Sequence, residues 1–315
     1  MPTETTTTMK AIQIKSYGGP EVAEYTEVAR PQPGEGELLI KVFATAVNPV
    51  DWMTVRGYLD GAVKLPVIPG WDVAGTVEAL GTGVKGFAAG EPVYAMIHVR
   101  GGAYAEYALV KQEEVARKPA NLDYQQAASV PLVALTAWQA LFDAAKLAPG
   151  QTVLVHAAAG GVGSMAVQLA HNAGARVIGT ASAKNAEFVR GLGADEVIDY
   201  TTTRFEEAVQ GVDVVLDTVG GETLDRSYGV LKPGGILLSL VAQPDQARAE
   251  VAGIRALQYS VHPNAAQLQQ IAELLEAGQL KTEVSQVLPI TEAGRALAQS
   301  EARHIRGKLV LKIAE

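Results

Sequence analysis

Gln151-Thr-Val-Leu-Val-His-Ala-Ala-Ala-Gly-Gly-Val-Gly-Ser-Met165 decides how the rest of the chain is read. Residues 152–156 form a short, almost wholly apolar run, the pattern of a parallel strand buried on both faces. A glycine-rich turn follows at once. Beyond it Val162, Met165, Ala166, Leu169 and Ala173 recur at helical spacing, and Gly174 is placed to end the helix. In this strand, turn and helix context, Ala158-Ala-Gly160-Gly-Val-Gly163 reads as a dinucleotide-binding fingerprint with Ala in place of the first Gly. Gly160 lets the backbone approach a pyrophosphate, and Gly163 lets helix and strand pack closely. The amides at the helix start, among Ala159, Gly160, Gly161 and Val162, are placed to hold the anion.

Downstream the alternation of strand and helix is regular. Residues 175–180, 196–200, 212–218, 235–241 and 254–261 read as further strands, with a helix at 185–192. Six such strands predict an α/β fold with a doubly wound parallel sheet, whose ligand sits beyond the carboxyl ends of the strands. A helix at 264–278 carries Leu268, Ile271, Ala272 and Leu275 on one face. The last segment changes character: a strand at 284–287, a helix at 291–303 and a strand at 308–313 are expected to return to the first domain. Upstream, residues 9–14, 37–46, 71–80 and 103–110 are strand candidates punctuated by Gly and Pro, as in a compact, irregular, barrel-like β domain. Residues 134–145 look helical and lead through Pro149-Gly150 into the second domain. The expected organisation is a disordered tail at 1–8, a β-rich first domain at 9–130 and 284–315, and a nucleotide-binding domain at 131–283.

Composition narrows the function. The 315 residues are 48% hydrophobic with a net charge of -8. No Lys/Arg cluster offers a footprint for nucleic acid or an anionic membrane. No apolar run is long enough to span a bilayer, and the threonine-rich start lacks the regions of a signal peptide. The chain has no cysteine, hence no disulfide and no thiolate metal site, and a cytoplasmic location is expected. The five histidines, at 98, 156, 171, 262 and 304, show no ligand spacing; His156 reads as a strand-end residue rather than a base.

Asn48-Pro-Val-Asp51, Pro69-Gly-Trp-Asp-Val-Ala-Gly75, Gly101-Gly-Ala-Tyr-Ala-Glu-Tyr107, Thr136-Ala-Trp-Gln-Ala140, His156 to Gly163 and Gly307-Lys-Leu-Val-Leu311 together resemble the medium-chain dehydrogenase/reductase superfamily. Within it the chain resembles the zinc-free quinone oxidoreductase branch, which includes the zeta-crystallins. That resemblance implies a GroES-like catalytic domain, a Rossmann domain and NADPH as coenzyme. Where the zinc alcohol dehydrogenases carry a ligand cysteine this chain has Asn48, and where their Gly-His-Glu supplies a histidine it has Gly70-Trp-Asp72. No metal is therefore expected, and without a Lewis acid simple alcohol oxidation is disfavoured.

NAD-specific sheets place an acid at the end of the second strand, about twenty residues past the glycines. Here Thr180-Ala-Ser-Ala-Lys184 has none. Ser182 can hydrogen-bond a 2'-phosphate and Lys184 can neutralise it; the family pattern places Tyr200 near the same phosphate or the adenine. Topology puts Val219, in Asp217-Thr-Val-Gly220, and Leu240, Val241 and Ala242, in Ser239-Leu-Val-Ala242, beside ribose and nicotinamide. The resemblance places Thr136 on the nicotinamide side. Val241, Ala242, Trp52, Met53 and Tyr58 are expected to form an apolar substrate pocket.

The expected chemistry is NADPH-dependent reduction of quinones or of the activated C=C bond of enones, with Asn48 orienting substrate or nicotinamide ribose and Tyr58 as hydrogen-bond donor or proton relay. Family members often carry a tyrosine nearer the Asn-Pro-x-Asp stretch, where this chain has Met53. Two alternatives are an enoyl-thioester reductase, for which Arg56 and Arg100 are the candidate phosphate contacts, and a non-catalytic NADPH-binding structural or regulatory protein. An apolar sixth strand at the sheet edge predicts a homodimer.

Overall fold

Parallel pairing of short apolar strands builds the part of the molecule that follows from the glycine turn. In the computed structural model, which describes residues 7–97 and 102–314, six strands lie side by side in the order Glu196–Asp199, Arg176–Ala181, Thr152–Val155, Val212–Asp217, Leu231–Ser239 and Arg255–Gln258. Numbered along the chain, that is 3-2-1-4-5-6, the doubly wound order, with its reversal between Thr152–Val155 and Val212–Asp217. The central strand Val212–Asp217 is buried at every residue, which is why its sequence is a run without alternation. The helix Gly161–Asn172 follows the first strand directly. A helix at Pro131–Trp138 passes into a π-helical turn, Gln139–Ala144, where the Gln139 amide donates to the His262 carbonyl at 2.8 Å and accepts from the His262 amide at 3.1 Å.

By their internal contacts the residues divide into two units: Met1–Leu132, Pro263–Gly278 and Thr282–Glu315 in the first, Val133–His262 and Gln279–Lys281 in the second. The helix Ala265–Glu276 therefore groups with the first unit, which corrects the expectation that it belongs with the parallel sheet. It buries Leu268, Ile271, Ala272 and Leu275, and the Tyr94 hydroxyl donates to the Leu268 carbonyl at 2.5 Å.

The first unit is organised on Glu37–Ala46, whose Leu38, Ile40 and Val42 alternate into one apolar cluster with Val73, Val77 and Val93. One edge of this strand pairs with Asp72–Leu80. Its other edge is shared, residues 37–41 pairing with Tyr107–Lys111 and residues 44–46 with Lys308–Lys312. The sheet then extends to Pro92–Met96 and Val115–Arg117 on one side and to Val284–Pro289 on the other. A separate ribbon pairs Thr8–Ile14 with Ala23–Ala29. Thr8, expected within a disordered tail, is the first residue of that ribbon; residues 1–6 lie outside the described residues. Among the described residues no helix is long and apolar enough to cross a membrane.

Candidate active site

The glycine turn has the geometry that a dinucleotide requires. A Cβ on Gly163 would lie 2.3 Å from the Ala157 carbonyl oxygen and 2.8 Å from the Ala158 Cα, so helix and turn approach closely only because this residue has no side chain. Gly160 is different. A Cβ there would meet only the Ala157 oxygen, at 3.3 Å, leaving the face above the turn open. Gly160 is the N-cap of the twelve-residue helix Gly161–Asn172 and supplies no side-chain cap, so the first-turn amides, including those of Gly161 and Val162, are available to an anion. Ala159 lines the turn from a buried position. These residues fit a dinucleotide pyrophosphate.

The strand ends beyond the turn bring further expected residues together. Asp199 pairs with Ala181, and the Tyr200 amide donates to the Ala181 carbonyl at 3.3 Å. Tyr200, half exposed, therefore stands beside Ser182, the N-cap of a short 3-10 turn that carries the exposed Lys184. One acid missing from the sequence argument is close by. Asp199 accepts from the Thr201 hydroxyl at 2.7 Å and the Thr201 amide at 3.0 Å; these bonds, with a further one from the Ala183 amide, hold its carboxyl below its usual range. It latches the turn that presents Lys184.

At the ends of the next two strands, Asp217 is completely buried. Its carboxylate accepts from the Val219 and Gly220 amides at 3.0 and 2.9 Å and from the Ser239 hydroxyl at 2.8 Å. The Ser239 oxygen in turn accepts from the Val241 and Ala242 amides at 3.4 and 3.2 Å, and the Leu240 amide donates to the Asp217 carbonyl at 2.9 Å. One acid and one hydroxyl thus set both loops that contain Val219, Leu240, Val241 and Ala242. Thr136 is buried on the helix Pro131–Trp138.

His156 is internal. Ser227 donates its hydroxyl proton to the Thr223 carbonyl at 2.7 Å, so at 3.0 Å from His156 Nε2 it accepts, which places the imidazole proton on Nε2. Nδ1 then accepts from Thr180 Oγ1 at 3.2 Å. Burial pushes the imidazole pKa down to about 4, keeping it neutral.

In the first unit a second polar cluster lies under the start of the helix Pro49–Val55. Asn48, its N-cap, is 0% exposed. Its Nδ2 donates to Asp72 at 2.8 Å, and its Oδ1 accepts from the Lys308 ammonium. Lys308, itself buried, also donates to the Val47 carbonyl at 2.7 Å and lies 3.9 Å from Asp72. Asp51 accepts from the Asn48 amide at 2.8 Å, the Tyr104 hydroxyl at 3.0 Å and the Gly70 amide at 3.2 Å. Burial pushes the Asp51 carboxyl up to about 7, against the Asn48 amide, the Lys308 charge and the Tyr104 hydroxyl. It also raises Asp72 and lowers Lys308, while their mutual attraction opposes both shifts. Asn48, expected to orient substrate or nicotinamide ribose, has no side-chain atom at the surface in this arrangement, so any such role runs through the groups it holds. Tyr58, in contrast, is 70% exposed, with its ring edge-on to Trp52 at 5.9 Å. A recess of about 550 Å³ in the same unit, lined by Gln13, Val28, Lys64, Val67 and Ile68 among others, includes none of the expected site residues.

Comparison with known proteins agrees with this architecture. Residues 34–120 match the alcohol dehydrogenase GroES-like domain and residues 192–311 the zinc-binding dehydrogenase domain. A probable zinc-binding oxidoreductase, mitochondrial, of Arthroderma benhamiae is 38% identical over 90% of this chain and 92% of its own. An NADPH-dependent alkenal/one oxidoreductase, chloroplastic, of Arabidopsis thaliana is 35% identical over 96% of this chain and 79% of its own. The solved structure of the quinone oxidoreductase from Coxiella burnetii superposes with a TM-score of 0.91 at 35% identity, covering 98% of this chain and all of the other. The chain belongs to the quinone oxidoreductase branch of the medium-chain dehydrogenases/reductases.

As a member of this family the protein is a nicotinamide-dependent oxidoreductase. Two of the matched descriptions name zinc; this chain has no cysteine, and among its described residues no three His, Cys, Asp or Glu side chains come together as a ligand set. Sequence reasoning missed Lys308, Tyr104 and the Asp217–Ser239 pair. The available signal for Lys308 was a lone lysine opening a strand that is otherwise apolar through Leu311.

Proposed function

We propose that the protein uses NADPH, without a metal, to reduce quinones or the activated C=C bond of enones. The observation that carries this reading is the Asn48 corner. Amide, ammonium, carboxylates and phenol are all one another's partners there, so this corner offers no electrophile, which favours a substrate whose own conjugated carbonyl accepts the charge. The names of the Arabidopsis and Coxiella proteins point the same way. A nicotinamide dinucleotide on the glycine turn supplies the hydride. Ala159, Gly160, Gly161 and Val162 receive its pyrophosphate; Ser182, Lys184 and Tyr200 receive the 2'-phosphate. Thr136, Val219, Leu240, Val241 and Ala242 border its ribose and nicotinamide. Trp52 and Tyr58 serve the substrate, Tyr58 with an exposed hydroxyl that can donate to the carbonyl oxygen as charge develops. Asn48 acts by holding the helix that precedes Tyr58.

Arg56 does not favour the thioester alternative: its guanidinium grips Glu301 through two bonds of 2.9 Å each, and Arg100 lies outside the described residues. A homodimer through the edge strand Arg255–Gln258, which is shorter than residues 254–261, and a cytoplasmic location complete the proposal. The test is NADPH consumption with a panel of enones, quinones and enoyl thioesters, in the presence and absence of EDTA. Turnover of enones or quinones that EDTA leaves unchanged supports the reading; activity lost with a bound metal, or turnover of thioesters alone, overturns it.

A further inference from the structure

We propose that Lys308 is a positioning residue of the catalytic domain, clamping the Asn48 amide and with it the start of the helix that carries Trp52 and leads to Tyr58. The proposal rests on the reading of Trp52 and Tyr58 as substrate-facing. An ammonium has donors and no acceptor, and an ionised carboxylate only acceptors. With Lys308 on one side and Asp72 on the other, the Asn48 amide has one favourable orientation, oxygen toward Lys308 and nitrogen toward Asp72. Turning it over sets like against like at both ends.

The clamp holds backbone as well. Lys308 Nζ grips the Val47 carbonyl at 2.7 Å, and the Asn48 amide donates to Asp51 at 2.8 Å, so the last residue before the helix and its N-cap are fixed from two directions. Lys308 is fixed in turn. Its amide donates to the Glu283 carbonyl at 2.9 Å and its carbonyl accepts from the Ser285 hydroxyl at 2.9 Å. Gly307 has φ +63, and a Cβ there would lie 2.2 Å from the Glu283 oxygen, so only glycine admits the chain to this strand in front of the lysine.

A cluster that serves packing alone is replaceable by neutral groups of similar shape, since exchanging a buried ion pair for apolar residues is often neutral or stabilising. The deciding variant is therefore the double substitution Lys308→Met with Asp72→Asn, which removes both charges of the Lys308–Asp72 pair together. It is compared with Lys308→Arg, which keeps a cation. In the double variant Tm should stay near wild type while kcat for the best enone or quinone falls at least tenfold, with NADPH affinity changed less than twofold. Hydrogen exchange in residues 48–58 should quicken, and Lys308→Arg should recover part of both losses. Wild-type exchange at 48–58 or wild-type kcat in the double variant overturns the clamp. If the native protein turns over no enone or quinone, the functional reading falls on that result, and the exchange measurement alone still decides the role of Lys308.

Discussion

The two units each bury a polar cluster, and the clusters are built on opposite plans. In the parallel-sheet unit, Asp217 and Ser239 sit at adjacent strand ends and hold mostly backbone amides, within a chain interval of 22 residues. In the other unit Asn48 with Asp51, Asp72, Tyr104 and Lys308 are brought from four distant segments, and they bind chiefly one another. The first plan follows from topology, because parallel strands deliver their carboxyl ends to one side. The second depends on tertiary packing and on balancing charge without water, where removing one partner is far worse than removing both.

The largest effect expected is therefore on the charged cluster. Lys308→Met alone should cost about 3–5 kcal/mol of stability in urea unfolding, because it leaves Asp72 buried without its counter-charge. Asp217→Asn, which keeps an oxygen for the loop amides, should cost about 1–3 kcal/mol. Equal losses would mean that the two clusters do not differ in kind.

Titration separates them next. His156 is held near pKa 4 in the folded protein against an ordinary 6.5, so between those values the unfolded chain binds the extra proton. Its contribution is present above pH 6.5 and is lost as pH falls toward 4. Asp51 is raised from 3.8 to about 7, so its contribution is full below pH 3.8 and is lost as pH rises through 7. Across these windows the two effects amount to roughly 3 and roughly 4 kcal/mol respectively. Unfolding free energies measured from pH 4 to 8 should show the acid-side loss flattened in His156→Gln, and the loss on raising pH flattened in Asp51→Asn. The same slope in both variants would defeat the assignment.

How far each region was legible follows from the same contrast. The strand, glycine turn and helix around Gly160 were readable because local sequence dictates them, and the 3-2-1-4-5-6 sheet follows from regular alternation. Ala23–Ala29 was not readable as a strand: among the described residues it pairs only with Thr8–Ile14, stays largely exposed and so has no apolar run. Pro92–Met96 and Val115–Arg117 are short and take their identity from neighbours. The position of Asn48 was visible in its motif, but its burial was not, because that depends on a lysine 260 residues away. Asp199 escaped for a similar reason, since it belongs to the next strand and reaches the Lys184 turn only through parallel pairing.

Coenzyme selection sharpens the contrast at a surface rather than in a core. Lys184 is exposed on a turn that Asp199 and Ser182 hold in place. Lys184→Ala should weaken NADPH by about 1.5–3 kcal/mol, the loss of a charge-assisted contact, and leave NADH binding unchanged. Fluorescence titration with both coenzymes measures this. Equal affinity for the two in the native protein would remove the 2'-phosphate site altogether.

The smallest structural effect, and the most informative about chemistry, belongs to Tyr58→Phe. With 70% of Tyr58 exposed and its ring edge-on to Trp52, removing the hydroxyl deletes no packing contact, so unfolding free energy should stay within about 0.5 kcal/mol of wild type. Any fall in kcat is then chemical in origin, unlike a fall caused by disturbing the Lys308 clamp. If the phenol donates to the carbonyl oxygen as charge develops there, kcat and kcat/KM should drop together by roughly tenfold, because the bond strengthens in the transition state. A drop confined to KM would instead make Tyr58 a binding group, and unchanged kinetics would leave water as the donor, with the buried cluster contributing position alone.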